Sequence, residues 1–279
     1  MYEVFENNTG NAIKYVFSGE DYSAEATIYK YEDFYNRTVI CCSVMSGCSM
    51  SCSFCSVRNK FVRDLSTNEI NEQVYTILSD KKLEDINERA KLFQIMFTGM
   101  GDPILNWYNL EGSIIDLHNK YPNAELMVST VAPISDDYIH LINMGKHIPK
   151  ISLQFSIYAS NDLERSKLMA SNDKFSLNQI RDLGIMWWKN TGRKVSINYC
   201  VNDSNAELED AERLMALFSP MIFTFAFSTI TFSFIAEPDA LAKNMKSAKK
   251  FAEIFRSNDY SVEFLDQTKH RTIGNCCRL

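Results

Sequence analysis

No run of apolar residues in this chain reaches the roughly 20 needed to cross a bilayer, and no leader with a basic start and an apolar middle opens it. An apolar and aromatic tract at 220–236 carries Ser and Thr throughout and is bounded by Pro220 and Pro238, so it reads as a buried strand and its following loop. Positive charge is short as well. Lys and Arg number 29 against 35 Asp and Glu, a formal net charge of −6. Bulk charge of that sign disfavours a nucleic-acid binder and leaves room only for a local basic patch. Histidine is scarce, and His118, His140 and His147 have no metal-ligand spacing. Repeats, low-complexity tracts and linkers are missing too, which leaves one catalytic domain; 279 residues suit one α/β barrel. The eight cysteines are not spread as a disulfide framework would be. They cluster at Cys41, Cys42, Cys48, Cys52, Cys55, Cys200, Cys276 and Cys277, which points to a reducing cytoplasm.

What is present centres on Gly47-Cys48-Ser49-Met50-Ser51-Cys52-Ser53-Phe54-Cys55. Three thiolates at spacing C-x3-C-x2-C can converge on one soft metal centre: an iron–sulfur cluster, zinc or Cu(I). Zinc and ordinary ferredoxin clusters take four protein ligands, and this run offers three. A cluster held by three cysteines leaves one iron open to a substrate or cofactor. The competing readings are a disulfide and a zinc knuckle without its fourth ligand.

Strand-like and helix-like segments alternate through the rest of the chain. Ala12–Ser18 and Ala24–Tyr31 read as a hairpin, and Arg37–Met45 as the strand that delivers the chain to the cysteine loop. Helices are expected at Ser66–Ser79, with Thr67 as cap, at Asn106–Tyr121, Asp136–Met144, Asp162–Met169, Ser176–Thr191, Ala206–Phe218 and Asp239–Ser257. Strands are expected at Leu92–Thr98, Ala124–Thr130, Lys150–Tyr158, Lys194–Val201, Met221–Thr229 and Tyr260–Leu265. Short connections in such an alternation predict parallel strands with helices outside them, curled into a partial (β/α)6-type barrel. The expected division is a hairpin extension at 1–36, a barrel at 37–265 and a tail at 266–279. Gly99-Met100-Gly101-Asp102-Pro103 directly follows a strand; its glycines let backbone approach a ligand closely, or mark a plain strand–helix turn.

The cysteine spacing, with Phe54 before the last cysteine, resembles the hallmark of the radical S-adenosylmethionine (SAM) superfamily. The remaining motifs resemble its RlmN/Cfr branch, which methylates adenine carbons in RNA. That branch carries G-C-x3-C-x-F-C, G-M-G-E-P, S-T, S-L-H-A-P-N-D, V-N-D and A-C-G-Q-L segments. This chain has GCSMSCSFC, GMGDP, Ser129-Thr130, Ser156-Ile157-Tyr158-Ala159-Ser160-Asn161-Asp162, Val201-Asn202-Asp203 and Cys276-Cys277-Arg278-Leu279, in the same order. The resemblance implies one four-iron–four-sulfur cluster with an open iron on Cys48, Cys52 and Cys55, with SAM on that iron. It implies SAM contacts from Gly99, Gly101, Asp102 (where the family has Glu), Ser129, Ser156, Ile157 and Tyr158 (where the family has His). Ser228 lies near the place of a family Asn in a W-N-P sequence. The resemblance further implies that Cys277 is methylated by one SAM and passes its carbon to an aromatic ring, and that Cys41, seven residues before Cys48, resolves the adduct. A reductant such as flavodoxin or ferredoxin is implied as partner, with RNA as substrate.

Other readings stay open beside these. Cys41 and Cys277 are also plausible as a buried apolar residue and a tail thiol, and Cys276 competes for the methyl-carrying role. Cys42 and Cys200 read as core. The family's proposed base, a Glu in the hairpin, aligns nearest to Ala26, with Glu25 one place off and so expected on the other face of its strand. Relative to the family, the chain starts at the hairpin, without an N-terminal helical accessory domain, and ends at Leu279 without an extension. Phe223, Phe225, Phe227 and Trp187-Trp188 read as core, and Lys243, Lys246, Lys249 and Lys250 as a solvated helix face. His270-Arg271 is a candidate for touching substrate. Three functions are compatible: an RNA adenine C-methyltransferase, a radical SAM enzyme acting on a small molecule or peptide, and a non-catalytic iron–sulfur sensor.

Overall fold

The computed structural model describes residues 1–169, 171, 173–201, 204–229 and 238–265, with backbone alone at 229, 238–242 and 265. In chain order the elements are β1 (Tyr2–Glu6), β2 (Ala12–Ser18), β3 (Ser23–Tyr31), β4 (Arg37–Cys42), β5 (Met45–Ser46), β6 (Arg63–Asp64), α1 (Thr67–Asp80), α2 (Ile86–Arg89), β7 (Leu92–Phe97), α3 (Trp107–Lys120), β8 (Glu125–Thr130), α4 (Tyr138–His147), β9 (Ile151–Ser156), α5 (Asp162–Leu168), α6 (Leu177–Thr191), β10 (Val195–Val201), α7 (Leu208–Leu217), β11 (Phe223–Thr229), α8 (Pro238–Arg256) and β12 (Val262–Leu265). Ten strands form one sheet in the order β1-β2-β3-β4-β7-β8-β9-β10-β11-β12. The first four pair antiparallel. From β4 onward every pairing is parallel, with helices in each crossover.

The expected hairpin is β2–β3, and β1 adds a third antiparallel strand to it. The sheet runs on through β3–β4 without a break. Helix α1 is capped by Ser66 rather than Thr67: Ser66 is extended and accepts from the Glu69 amide, and Glu69 returns a bond to the Ser66 amide. Thr67 is the first helical residue and donates instead to the Asn109 carbonyl. Ser176 caps α6 as expected, and Gly192, at φ 71°, ends it.

The pleat sorts the chain into two faces. One face carries Ile40, Ile95, Phe97, Leu126, Val128, Leu153, Phe155, Ile197, Tyr199, Phe223, Phe225 and Phe227 into the apolar core under the helices. The register places Lys14, Thr27, Cys41, Met96, Met127 and Ser152 in one row across the opposite face, with Gln94, Glu125, Gln154, Ser196 and Asn198 in neighbouring rows. Six inter-strand steps of about 4.8 Å would hold β4 and β12 about 29 Å apart in a flat sheet. Yet Arg37 on β4 meets Glu263 on β12 at 2.9 Å. The sheet therefore curls into a partial barrel, with the polar face inside. Phe223, Phe225 and Phe227 pack on Phe218, Phe251 and Phe255 as core. Lys243, Lys246, Lys249 and Lys250 are exposed. Among the described residues no helix is long and apolar enough to cross a membrane.

Candidate cluster and cofactor site

Strand β4 stops at Cys42, earlier than its β-rich sequence suggests, because the next residue is tied sideways. The Ser43 amide donates to Gln73 Oε1, and Gln73 Nε2 donates back to the Ser43 carbonyl. Ser43 Oγ donates to the Glu25 carbonyl and accepts from the Met100 amide. The cysteine loop then leaves through β5 and returns through β6. Asn106 closes its neck by donating to both the Val44 and Leu65 carbonyls at 2.7 Å. Gln73 and Asn106 carry no motif, and nothing local to either marks its role.

The glycines of the 99–103 turn serve the chain's own backbone. The Gly99 amide donates to the Cys42 carbonyl, and the Val44 and Met45 amides donate to the Met100 carbonyl. A Cβ on Gly99 would stand 2.6 Å from the Ser43 amide nitrogen, and one on Gly101 2.5 Å from Met45 Cγ, with φ 92° besides. The turn is thus pressed onto the segment that feeds the cysteine loop. Asp102 is buried, and its carboxylate accepts from the Ile104 amide, the Val131 amide and Thr130 Oγ1. Burial outweighs those bonds and pushes its pKa up to about 6.

Cys52 is buried and Cys48 and Cys55 half-buried. Burial pushes the Cys48 thiol up to about 11 and the Cys52 thiol to about 12; Asp102 and Cys55 add to both, and Cys48 adds to Cys52. Among the described residues no three His, Cys, Asp or Glu side chains converge as a mononuclear metal site would require. A cubane spreads its three cysteines wider than one ion does, and an all-sulfur donor set suits iron–sulfur chemistry. Three thiols on one loop fit a cluster with one open iron.

The other predicted residues fall on two levels. Ser129, on the inner face, donates to Gln154. Ser156 accepts from Asn198 Nδ2. Ile157 is fully buried in the core and offers only backbone; its amide donates to the Asn198 carbonyl. Tyr158 holds a left-handed backbone, φ 60°, and its ring meets Phe54 at 4.4 Å between centroids. Burial raises its hydroxyl pKa, with Cys200, Cys52 and Cys55 adding to the effect. Ser228 Oγ lies 2.9 Å from Cys200 Sγ. Cys200, expected in the core, therefore sits on the inner face, while Cys42 is in the apolar core. Asn198 and Cys200 alternate with Ile197, Tyr199 and Val201 along β10, but their roles depend on Ser156 and Ser228, which the neighbouring strands bring beside them.

The adjacent cysteines Cys41 and Cys42 are parted by the pleat. Cys41 is on the inner face, in register with Thr27 and Met96. Glu25 shares that face, two residues along β3 from Thr27, whereas Ala26 points into the helix-side core. Glu25 thus lies on the opposite face of its strand from Ala26, as the one-residue offset implies, and that face is the inner one. Both Glu25 and Lys14 are 1% exposed, and Lys14 Nζ donates to Glu25 Oε2 at 2.8 Å. Glu25 Oε1 and Thr27 Oγ1 are buried without a partner among the described residues. Cys276, Cys277, His270, Arg271, Asn202 and Asp203 lie outside the described residues.

The whole chain overlays a radical SAM methyltransferase from Sphaerobacter thermophilus with a TM-score of 0.80 at 20% identity, covering 99% of this chain and 80% of that one. The Streptococcus suis SuiB structure bound to S-adenosylmethionine follows at 0.57, with 14% identity over 83% of this chain and 50% of the other. The fold is that of the radical SAM enzymes. Within that class the chain resembles the dual-specificity RNA methyltransferases called RlmN. A probable RlmN of Heliobacterium modesticaldum is 31% identical over 196 residues, 68% of this chain and 49% of its own length. The RlmN of Buchnera aphidicola is 27% identical over 250 residues, 85% of this chain and 64% of its own. The chain spans about half the length of the first of these relatives. No family model matches it.

Proposed function

We propose that this chain is a radical SAM methyltransferase that adds a SAM-derived methyl to an sp2 carbon, with adenine in RNA as acceptor. One observation carries the reading: the cysteine loop, the 99–103 turn and the segment after β9 are pinned to one another. The links are the Val44 and Met45 amides on the Met100 carbonyl and the Phe54–Tyr158 ring contact. A common ligand lying across all three accounts for that convergence.

In this reading Cys48, Cys52 and Cys55 hold one four-iron–four-sulfur cluster. Gly99, Gly101 and Asp102 border the amino-acid end of SAM, and Ser129, Ser156, Ile157, Tyr158 and Ser228 border the rest. Reduced by a donor such as flavodoxin or ferredoxin, the cluster and SAM together supply a hydrogen-abstracting radical, the part of the chemistry no side chain can perform. Cys277, in the 266–279 tail, takes the methyl as a thiolate nucleophile. Glu25, its Oε1 unpartnered on the inner face, accepts the proton the acceptor carbon gives up. Cys41, on the same face, resolves the adduct. The barrel at 37–265 is the catalytic unit, 1–36 its extension, and the cytoplasm its compartment.

The test incubates reduced, cluster-loaded protein with methyl-labelled SAM and, in parallel, total RNA, nucleotides and extract stripped of RNA. Label in RNA adenine, abolished by Cys48→Ala, is expected. The net charge of −6 favours a second reading, a small-molecule or peptide acceptor. Label confined to the RNA-free extract would establish it and end the RNA proposal.

A further inference from the structure

Arg165, in α5, is sealed inside the protein at 0% exposure. Its Nη1 donates to the Phe175 carbonyl at 2.5 Å and its Nη2 to the Val131 carbonyl at 2.6 Å, while Nε has no partner among the described residues. The carboxylate paired with it, Asp162, stands 3.9 Å away and is 48% exposed. Burying an ion costs several kcal/mol after relaxation, and a well-placed counter-charge normally offsets that cost. Two carbonyl dipoles and one distant, solvated carboxylate are a poor substitute. Burial accordingly lowers the guanidinium's pKa, against the pull of Asp162, Tyr138, Cys52 and Tyr158.

The surroundings lead to the cysteine loop. The Met169 amide donates to the Arg165 carbonyl, and Met169 forms an isolated β-bridge with Cys52. The Ser53 amide donates to the Leu168 carbonyl. Met50, Cys52 and Met169 form a small apolar cluster against which Cys48, Cys55, Val131 and Tyr158 pack. Arg165 therefore stands behind the cysteine loop, on the side where Cys52 is anchored. Its contact with the Val131 carbonyl also leaves that residue's amide to Asp102, so a single residue separates guanidinium from carboxylate.

We propose that Arg165 is the internal counter-cation of the iron–sulfur cluster, a positioning residue that sets the cluster's reduction potential and retention; this rests on the reading of Cys48, Cys52 and Cys55 as cluster ligands. Three thiolates around a dicationic core leave the whole negative, and one electron from an external donor makes it more so. A fixed positive charge in a low-dielectric setting stabilises the reduced state more than the oxidised one. The same charge is uncompensated when the cluster is gone, so it ties stability to loading.

The experiment compares wild type with Arg165→Gln, Arg165→Lys and Asp162→Asn. Each is reconstituted anaerobically with iron and sulfide, titrated with dithionite under paramagnetic-resonance detection, and melted both loaded and empty. In Arg165→Gln the reduced-to-oxidised ratio at the wild-type midpoint should fall about tenfold, equivalent to 59 mV for a one-electron couple. The melting gap between loaded and empty protein should narrow. Arg165→Lys should stay within about threefold of wild type, and Asp162→Asn, which leaves the guanidinium less compensated, should raise the ratio. An unchanged midpoint in Arg165→Gln, with loaded and empty forms destabilised equally, would reduce Arg165 to a strut and overturn the proposal. If Arg165→Gln fails to fold, an unmoved midpoint in Asp162→Asn overturns it instead. Wild-type protein that takes up no cluster would sink the cysteine reading itself, a result distinct from a loaded cluster indifferent to Arg165.

Discussion

Asp102 shows at single-residue scale how a site residue is held in an unfavourable state. Its ordinary value is 3.8 and its folded value about 6, raised by burial. The folded protein thus binds this proton more tightly than the unfolded chain. Its destabilising effect is absent below pH 3.8, grows as pH rises to about 6, and is complete above that. The difference between those two values corresponds to roughly 3 kcal/mol. Asp102→Asn should therefore flatten the pH dependence of the empty protein's melting temperature between pH 4 and 6. The same change should weaken SAM binding more at pH 7.5 than at pH 5, where the wild-type carboxyl is itself largely protonated. Calorimetric melting and SAM titration at both pH values check the two halves. Equal SAM affinity in both proteins at pH 7.5 would remove Asp102 from the site.

At the scale of elements, the cysteine loop depends on partners distant in sequence. Asn106 satisfies one carbonyl at each side of the loop's neck, from a position just before α3. Asn106→Ala deprives the Leu65 carbonyl of its donor, at a cost of about 2 kcal/mol, and leaves the neck held by the Leu65 amide on the Val44 carbonyl alone. Urea unfolding should show that loss, and iron per chain after reconstitution should fall although all three thiols remain; full iron content would show that the neck needs no closure. The contrast explains what the sequence made legible. Helices α3 and α6 and strands β7 to β11 follow from hydrophobic period and capping residues, which are local. The cysteine loop and the 99–103 turn follow from spacing. Strand β1 escaped notice because its five residues are all exposed and show no alternation of burial. Gln73, Asn106, Asn198 and Arg165 escaped because their roles are set by what the fold brings beside them. The offset between Glu25 and Ala26 is legible as a change of face, but only the pairing with β2 and β4 shows which of the two faces is the inner one.

Across the whole molecule, the curl of the sheet is fastened by a contact between its first and last parallel strands. Arg37 and Glu263 are partly exposed, at 29% and 48%, so their ion pair is worth less than about 1 kcal/mol and is weakened by salt. Arg37→Glu should lower stability by that order, and the double exchange Arg37→Glu with Glu263→Arg should recover most of it at low ionic strength. Coupling measured by a double-mutant cycle in urea is the check; zero coupling at low salt would mean that β12 is not held against β4 in solution. Core burial, not this pair, carries the barrel's stability, since the apolar cluster extends from Ile13 on β2 to Tyr260 before β12.

The division of the central parallel strands between an apolar outer face and a largely polar inner one has a further consequence for how such a protein can change. A substitution at Cys42 or Ile95 disturbs packing that the whole fold shares, whereas one at Ser129, Gln154, Ser196 or Asn198 alters the inner face of the sheet and leaves the helices where they are. Neighbouring positions in the gene thus face unlike constraints, alternating codon by codon along each strand. A lineage could exchange one acceptor molecule for another by drifting at every second residue, keeping its architecture while its chemistry moved.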